Sequence, residues 1–162
     1  MITVDHLIFT LTLLAALGCG LIAGVFFAFS SFVMKSLARL PVSEGIAAMQ
    51  SINVVVLKSW FMTAFMGTAV VCVLALIYAF FRIHEPRGMF LLVGSVLYLA
   101  GTFVVTIAFN VPRNQVLASV APADPNSASV WSNYVISWTA WNHVRTLAAL
   151  AAAASFSVAL AY

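Results

Sequence analysis

An all-α fold built inside a membrane is what this sequence predicts, on three observations. Hydrophobic residues fill 64% of the 162 positions, charged residues only 7%, and mean hydropathy is +1.12. A water-soluble domain carries about 25% charged residues, so water is not the main solvent of this chain. Its apolar runs are continuous over roughly twenty residues, the length of a spanning helix, and lack the two-residue alternation of a barrel. Every backbone amide in lipid needs a partner within the protein, and a helix supplies one for each residue. The expected architecture is one integral membrane domain over residues 1–162. It is a transmembrane four-helix bundle with spans at about 7–34, 59–81, 88–109 and 142–162. A short amphipathic helix is expected between the first two spans, and the last helix is extended at its N-terminal end.

The first span runs from about Leu7 to Met34 with no charge between His6 and Lys35. The chain start lacks a basic region and its apolar run continues past any plausible cleavage point, so it reads as a spanning helix and not a signal peptide. Gly18, Gly20 and Gly24 offer a small-residue face for close helix approach. Leu40-Pro41 then stops the helix. Ser43 is placed to cap a new one, with Glu44 favourable in its first turn. This amphipathic piece leads through Asn53 to the second span, and the polar turn "RIHEPRG" leads to the third. "FNVPRNQVL" reads as a proline turn with two amides, and "APADPNSAS" as a loop. From Val130 to Tyr162 the chain is long enough for a helix of about 50 Å at 1.5 Å per residue, more than one bilayer core. Trp131, Trp138 and Trp141 fall in its interfacial part.

Four spans put both termini and His84 on one side of the membrane. The other side gathers Lys35, Arg39, Lys58, Arg113 and Arg145 against Arg82 and Arg87. A literal positive-inside count places that second side in the cytoplasm. Set aside Lys58, Arg113 and Arg145 as functional, and the count is a tie. The expected location is the bacterial inner membrane, as a multi-pass protein. Net charge is +3 with pI near 9.2, but the cations are scattered singly, which excludes a nucleic-acid surface. Cys19 and Cys72 lie in apolar runs without metal-type spacing.

Asn53, Lys58, Asn110, Arg113, Asn114, Trp138, Trp141, Asn142, His143 and Arg145 all fall toward one membrane face. Asn110, Arg113 and Asn114 are three and four apart, as are Trp138, Asn142 and Arg145, so each set shares a helix face. Each residue alone suits an interfacial belt, a cap or a snorkelling cation. Together they mark a pocket, because polar groups in a membrane are costly unless they have a purpose.

No span holds a carboxylate, which argues against a di-iron centre. No nucleotide fingerprint or nucleophile elbow is present. A haem between His6 and His84 is an alternative, with solvated loop histidines the better explanation. No cofactor is expected. Amides, cations and indoles suit a flat aromatic or phenolic ligand with a developing oxyanion.

The stretches "GVFFAFSSFVMKSLARLP", "AAMQSIN", "FNVPRNQVL" and "WTAWNHVRTLAALAAAASF" resemble the anthrone-oxygenase-like family of small four-helix membrane proteins. That resemblance implies dioxygen-dependent oxidation of an anthrone-type substrate without metal or flavin. Carried over residue by residue, it implicates Asn53, Asn110, Asn114, Trp141, Asn142 and Arg145. Arg113 departs from it, since a more apolar residue is expected between the two asparagines. The resulting expectation has Arg145 and the asparagines holding an enolate oxygen, indoles stacking the ring, and His143 or a bound water taking the proton. Trp138, Lys58 and Arg113 complete the substrate-binding set. The alternative function is non-catalytic binding of a lipid, quinone or other hydrophobic metabolite. Besides the bilayer and a small aromatic ligand, a homo-oligomer through small-residue helix faces is the partner to consider.

Overall fold

The computed structural model describes residues 4–125 and 127–162. Among these the chain forms five helices and no strand: α1 Val4–Leu37, α2 Val42–Val55, α3 Trp60–Phe80, α4 Pro86–Ala118 and α5 Ser127–Ala159. Of these, α1, α3 and α4 are each long and apolar enough to cross a membrane, consistent with an integral membrane protein. α5 carries Asn142, His143 and Arg145 ahead of its apolar stretch and is not among them.

α1 packs on α3 and α5, and α4 packs on the same two helices, so the four long helices share one core. Small residues set their spacing. A Cβ added at Gly18 would overlap the Thr68 hydroxyl of α3, and one at Gly101 would stand 2.6 Å from the Ala148 Cβ of α5. Cys19 and Cys72 are free thiols buried in this core. Of the glycine face expected on α1, only Gly18 serves this packing. Gly20 and Gly24 are exposed, with nothing near them, because the helix phase turns them outward.

α2 lies across one end of the long helices, against α4 and α5. It begins at Val42 with extended Pro41 before it, so Ser43 sits in the first turn and is not the cap. Its Gln50 amide donates to the Leu117 and Val120 carbonyls at 2.9 and 3.0 Å, binding α2 to the C-terminal end of α4. Met49, Leu117, Trp131, Tyr134 and Trp138 form a second buried cluster under it.

The expected proline turn is instead helix. α4 continues through Pro112 to Ala118 after widening to π-form over Leu97–Val104 and Thr106–Asn110. Proline removes one amide donor and crowds the preceding turn. A widened turn just before it accommodates both effects without ending the helix. α1 has a similar π-turn at Phe29–Val33.

The widening has a geometric effect. In an ordinary α-helix each four-residue step drifts by about 40°, so four such steps accumulate about 160°. Yet Tyr98, Thr102, Thr106, Asn110 and Asn114, spaced by fours, all engage neighbouring helices through their side chains.

Candidate functional site

Arg145 is the charged side chain of the core, 4% exposed. Its guanidinium lies over the Phe26 ring at 4.1 Å from the centroid and near the Trp138 ring at 5.0 Å. One terminal nitrogen donates to Asn142 Oδ1 at 2.6 Å and the other to Thr106 Oγ1 at 3.3 Å. Its Nε–H has no partner. Aromatic faces and neutral acceptors thus hold this cation without a carboxylate.

Asn142 fixes the arginine and joins α5 to α1. Its Nδ2 donates to the Phe26 carbonyl and to Ser30 Oγ, each at 2.7 Å, while Ser30 lies 3.2 Å from the Thr146 hydroxyl. Ser30 sits in the π-turn of α1. All four amide bonding directions of a buried asparagine are valuable, and here three are used.

The two asparagines of α4 hold the same stretch of α5. Asn110 Nδ2 donates to the Trp138 carbonyl at 3.2 Å, and its buried Oδ1 is unpartnered. Asn114 Oδ1 accepts from the Trp138 indole and the Tyr134 hydroxyl, both at 2.9 Å.

Between these groups is a cavity of about 130 Å³ to which all five helices contribute. Phe26, Phe29, Phe61, Phe65 and Trp138 make its aromatic walls, and Asn53, Thr106, Asn114 and Arg145 its polar points. Asn53 Nδ2 is buried and unpartnered like the Arg145 Nε. The cavity shares Leu57 and Met62 with a wider, open cavity of about 430 Å³ that includes Lys58 and Trp60.

The sequence-predicted residues therefore divide. Asn53, Asn114, Trp138 and Arg145 line the cavity, while Asn110 and Asn142 hold its walls. Lys58 stands in the outer cavity. Trp141 stacks on Phe109, centroids 3.6 Å apart, outside the chamber. Arg113 bonds to Ser137 and to the Phe109 carbonyl, also outside. His143 is exposed in a groove with Lys35 and Thr139, because one residue of helix turns it about 100° from Asn142. Phe26, Ser30, Thr106 and Gln50 were not singled out from the sequence. The serine pair inside the apolar run "FFAFSSF" was the available signal for Ser30.

The sequence model of the anthrone oxygenase family matches residues 58–155. The chain belongs to the anthrone oxygenase family. No curated protein and no solved structure matches the chain. The anthrone oxygenase match takes in α3, α4 and most of α5, and so Asn110, Asn114, Trp138, Asn142 and Arg145. It begins at Lys58, so the α1 residues Phe26 and Ser30 and the α2 residue Asn53 precede it. Among the described residues, no group of three or more His, Cys, Asp or Glu is placed to hold a metal ion. His6 and His84 both lie on exposed positions, at the start of α1 and in the turn before α4.

Proposed function

We propose that this chain is a membrane-embedded oxygenase-like protein that binds a small hydrophobic aromatic or phenolic substrate and oxidises it with dioxygen, without metal or flavin. α1, α3, α4 and α5 would all cross the bilayer, with α2 lying at one surface over the chamber. The observation that carries the proposal is an aromatic-walled cavity lined by Arg145 and Asn53, each of which keeps one buried N–H donor, Nε and Nδ2, without a partner. Unpaired buried donors are costly, and a ligand oxygen relieves that cost. Preorganised donors of this kind stabilise an oxyanion best where water is excluded.

An anthrone-type substrate has an acidic methylene conjugated with a ring carbonyl. Loss of one proton gives an electron-rich enolate, which reacts with dioxygen. The methylene carbon gains one oxygen atom as a new carbonyl, and the second oxygen leaves as water with the two hydrogens. Arg145 and Asn53 would hold the enolate oxygen, and Trp138 and the phenylalanines would flank the ring. Asn142 would orient Arg145, and Asn114 would orient Trp138. Incubating the purified protein with anthrone and following oxygen uptake tests the proposal. Anthraquinone should form in step with oxygen consumed, faster than without protein; an unchanged rate would sink the assignment.

Cavity size favours one alternative for comparison. A closed apolar cavity of about 150 Å³ accepts a single benzene ring, so the inner chamber here suits one ring, with a larger ligand extending past Leu57 and Met62. A monocyclic quinone or other hydrophobic metabolite bound without turnover would also fit. Saturable binding with no oxygen uptake across an anthrone series would select that second function.

A further inference from the structure

An enolate requires that a proton go somewhere, and the chamber lining holds no carboxylate, imidazole or amine; the nearest titratable groups are Lys58 in the outer cavity and the Tyr134 phenol, which donates to Asn114. Among the described residues, all four carboxylates (Asp5, Glu44, Glu85, Asp124) and all three histidines (His6, His84, His143) are exposed, and none lines the cavity. The polar lining is Asn53, Thr106, Asn114 and Arg145. Amides and a threonine hydroxyl do not act as bases near neutral pH, and a guanidinium has no lone pair to offer.

What the lining does offer is donors. Asn114 Oδ1 is occupied by two donors, and Thr106 Oγ1 already receives Arg145 while donating to the Thr102 carbonyl. Arg145 Nε–H and Asn53 Nδ2–H are buried without a hydrogen-bond partner, the Asn53 amide lying beside the Tyr134 hydroxyl. Arg145 has no carboxylate partner, so its charge is balanced only by dipoles and ring faces. An anion entering this chamber gains the Arg145 counter-charge beside two unpartnered donors, while a neutral hydroxyl gains less and has the Asn53 amide oxygen as the one free acceptor of the polar lining for its own proton.

We infer that the site takes its ligand as a pre-formed conjugate base, a phenolate or enolate of a weakly acidic hydroxyaromatic, whose proton is released to water and not to a protein base. The inference rests on the proposed aromatic, oxygen-bearing ligand, but not on the oxidation that would follow. It defines the substrate class by acidity: aromatic rings whose hydroxyl or conjugated C–H ionises near ambient pH enter, and their O-methyl ethers do not.

Redox-inert nitrophenols of graded acidity test it, since their colour reports ionisation directly. With the full chain in detergent, each bound nitrophenol should ionise at least about one pH unit lower than when free, equivalent to about tenfold tighter binding of the anion. Nitroanisole should bind at least tenfold more weakly than the matching phenolate. Arg145→Leu, shown folded by its helical circular dichroism and melting transition, should abolish the shift. An unshifted or raised ionisation pH, equal binding of nitroanisole, or no binding of any nitrophenol overturns the inference. With oxidisable substrates, the acidic limb of kcat/KM should move with the acidity of each substrate; a limb fixed at one pH would reveal a protein base and also overturn it. A lowered nitrophenol ionisation without oxygen uptake would sink the oxygenase function alone. Oxygen uptake with unshifted nitrophenols would sink this inference alone.

Discussion

Replacing Arg145 with leucine should separate stability from activity, because the structure assigns opposite signs to its contributions. The substitution removes the donor to Asn142 Oδ1, and a buried acceptor left unpaired costs about 1–3 kcal/mol. It also removes the contacts with Phe26 and Trp138, cation–π interactions of about 0.5–2 kcal/mol each. Against these stands relief of a buried charge that has no ionic partner, a penalty of several kcal/mol. The net change in stability should lie within about 2 kcal/mol of zero, since replacing buried ions with apolar side chains is often neutral. Oxyanion stabilisation has no such offset. Losing a main donor should slow turnover by about 10²–10³, or roughly 3–4 kcal/mol in the barrier. Thermal melting in detergent measures the first quantity, and oxygen uptake with anthrone the second. A folded variant that oxidises anthrone at the native rate would refute the role of Arg145, whatever its melting point.

Asn142→Leu should behave in the opposite way, destabilising by about 3–5 kcal/mol because it strands a buried guanidinium and breaks the tie to Phe26 and Ser30; an unchanged melting temperature would contradict this. Gly18→Ala should destabilise by about 1–3 kcal/mol through overpacking against Thr68, whereas Gly20→Ala, on open helix surface, should stay within about 0.5 kcal/mol. Equal effects in thermal melts would show that α1 does not pack as described. Trp138→Phe and Tyr134→Phe should each lower stability by about 1 kcal/mol, since Asn114 Oδ1 keeps its other donor. The double variant should lose more than the sum of the two, and strict additivity in a double-mutant cycle would show the shared acceptor to be unimportant.

The helical class and the three long apolar helices were legible because membrane helices are coded by composition over long windows. The gathering of Asn53, Asn110, Asn114, Trp138, Asn142 and Arg145 was legible from the membrane face toward which each falls along its apolar run. Finer placement was not. Trp141 and His143 adjoin Asn142 in sequence but face other directions, a matter of about 100° per residue that proximity in sequence conceals. Phe26 and Ser30 sit in an apolar run where nothing distinguishes a cavity wall from lipid-facing bulk. Thr102 and Thr106 escaped for a different reason: a helical wheel assumes 3.6 residues per turn, and the π-form of α4 departs from it. Pro112 suggested a stop for the same reason, since the wider turn before it is invisible in residue type.

That wide helix makes the number of residues in α4 part of the site. Tyr98, Thr102, Thr106, Asn110 and Asn114 stand at a strict interval of four, and only the local unwinding keeps such an interval aimed at α3 and α5. Delete one residue from the α-form stretch Pro86–Val96 and every functional side chain survives chemically. Asn110 and Asn114 would nonetheless swing by about 100°, releasing Trp138 and opening the chamber wall. A point substitution there tests a contact; a single-residue deletion tests the gearing between helices, and in this chain the second should be the more damaging.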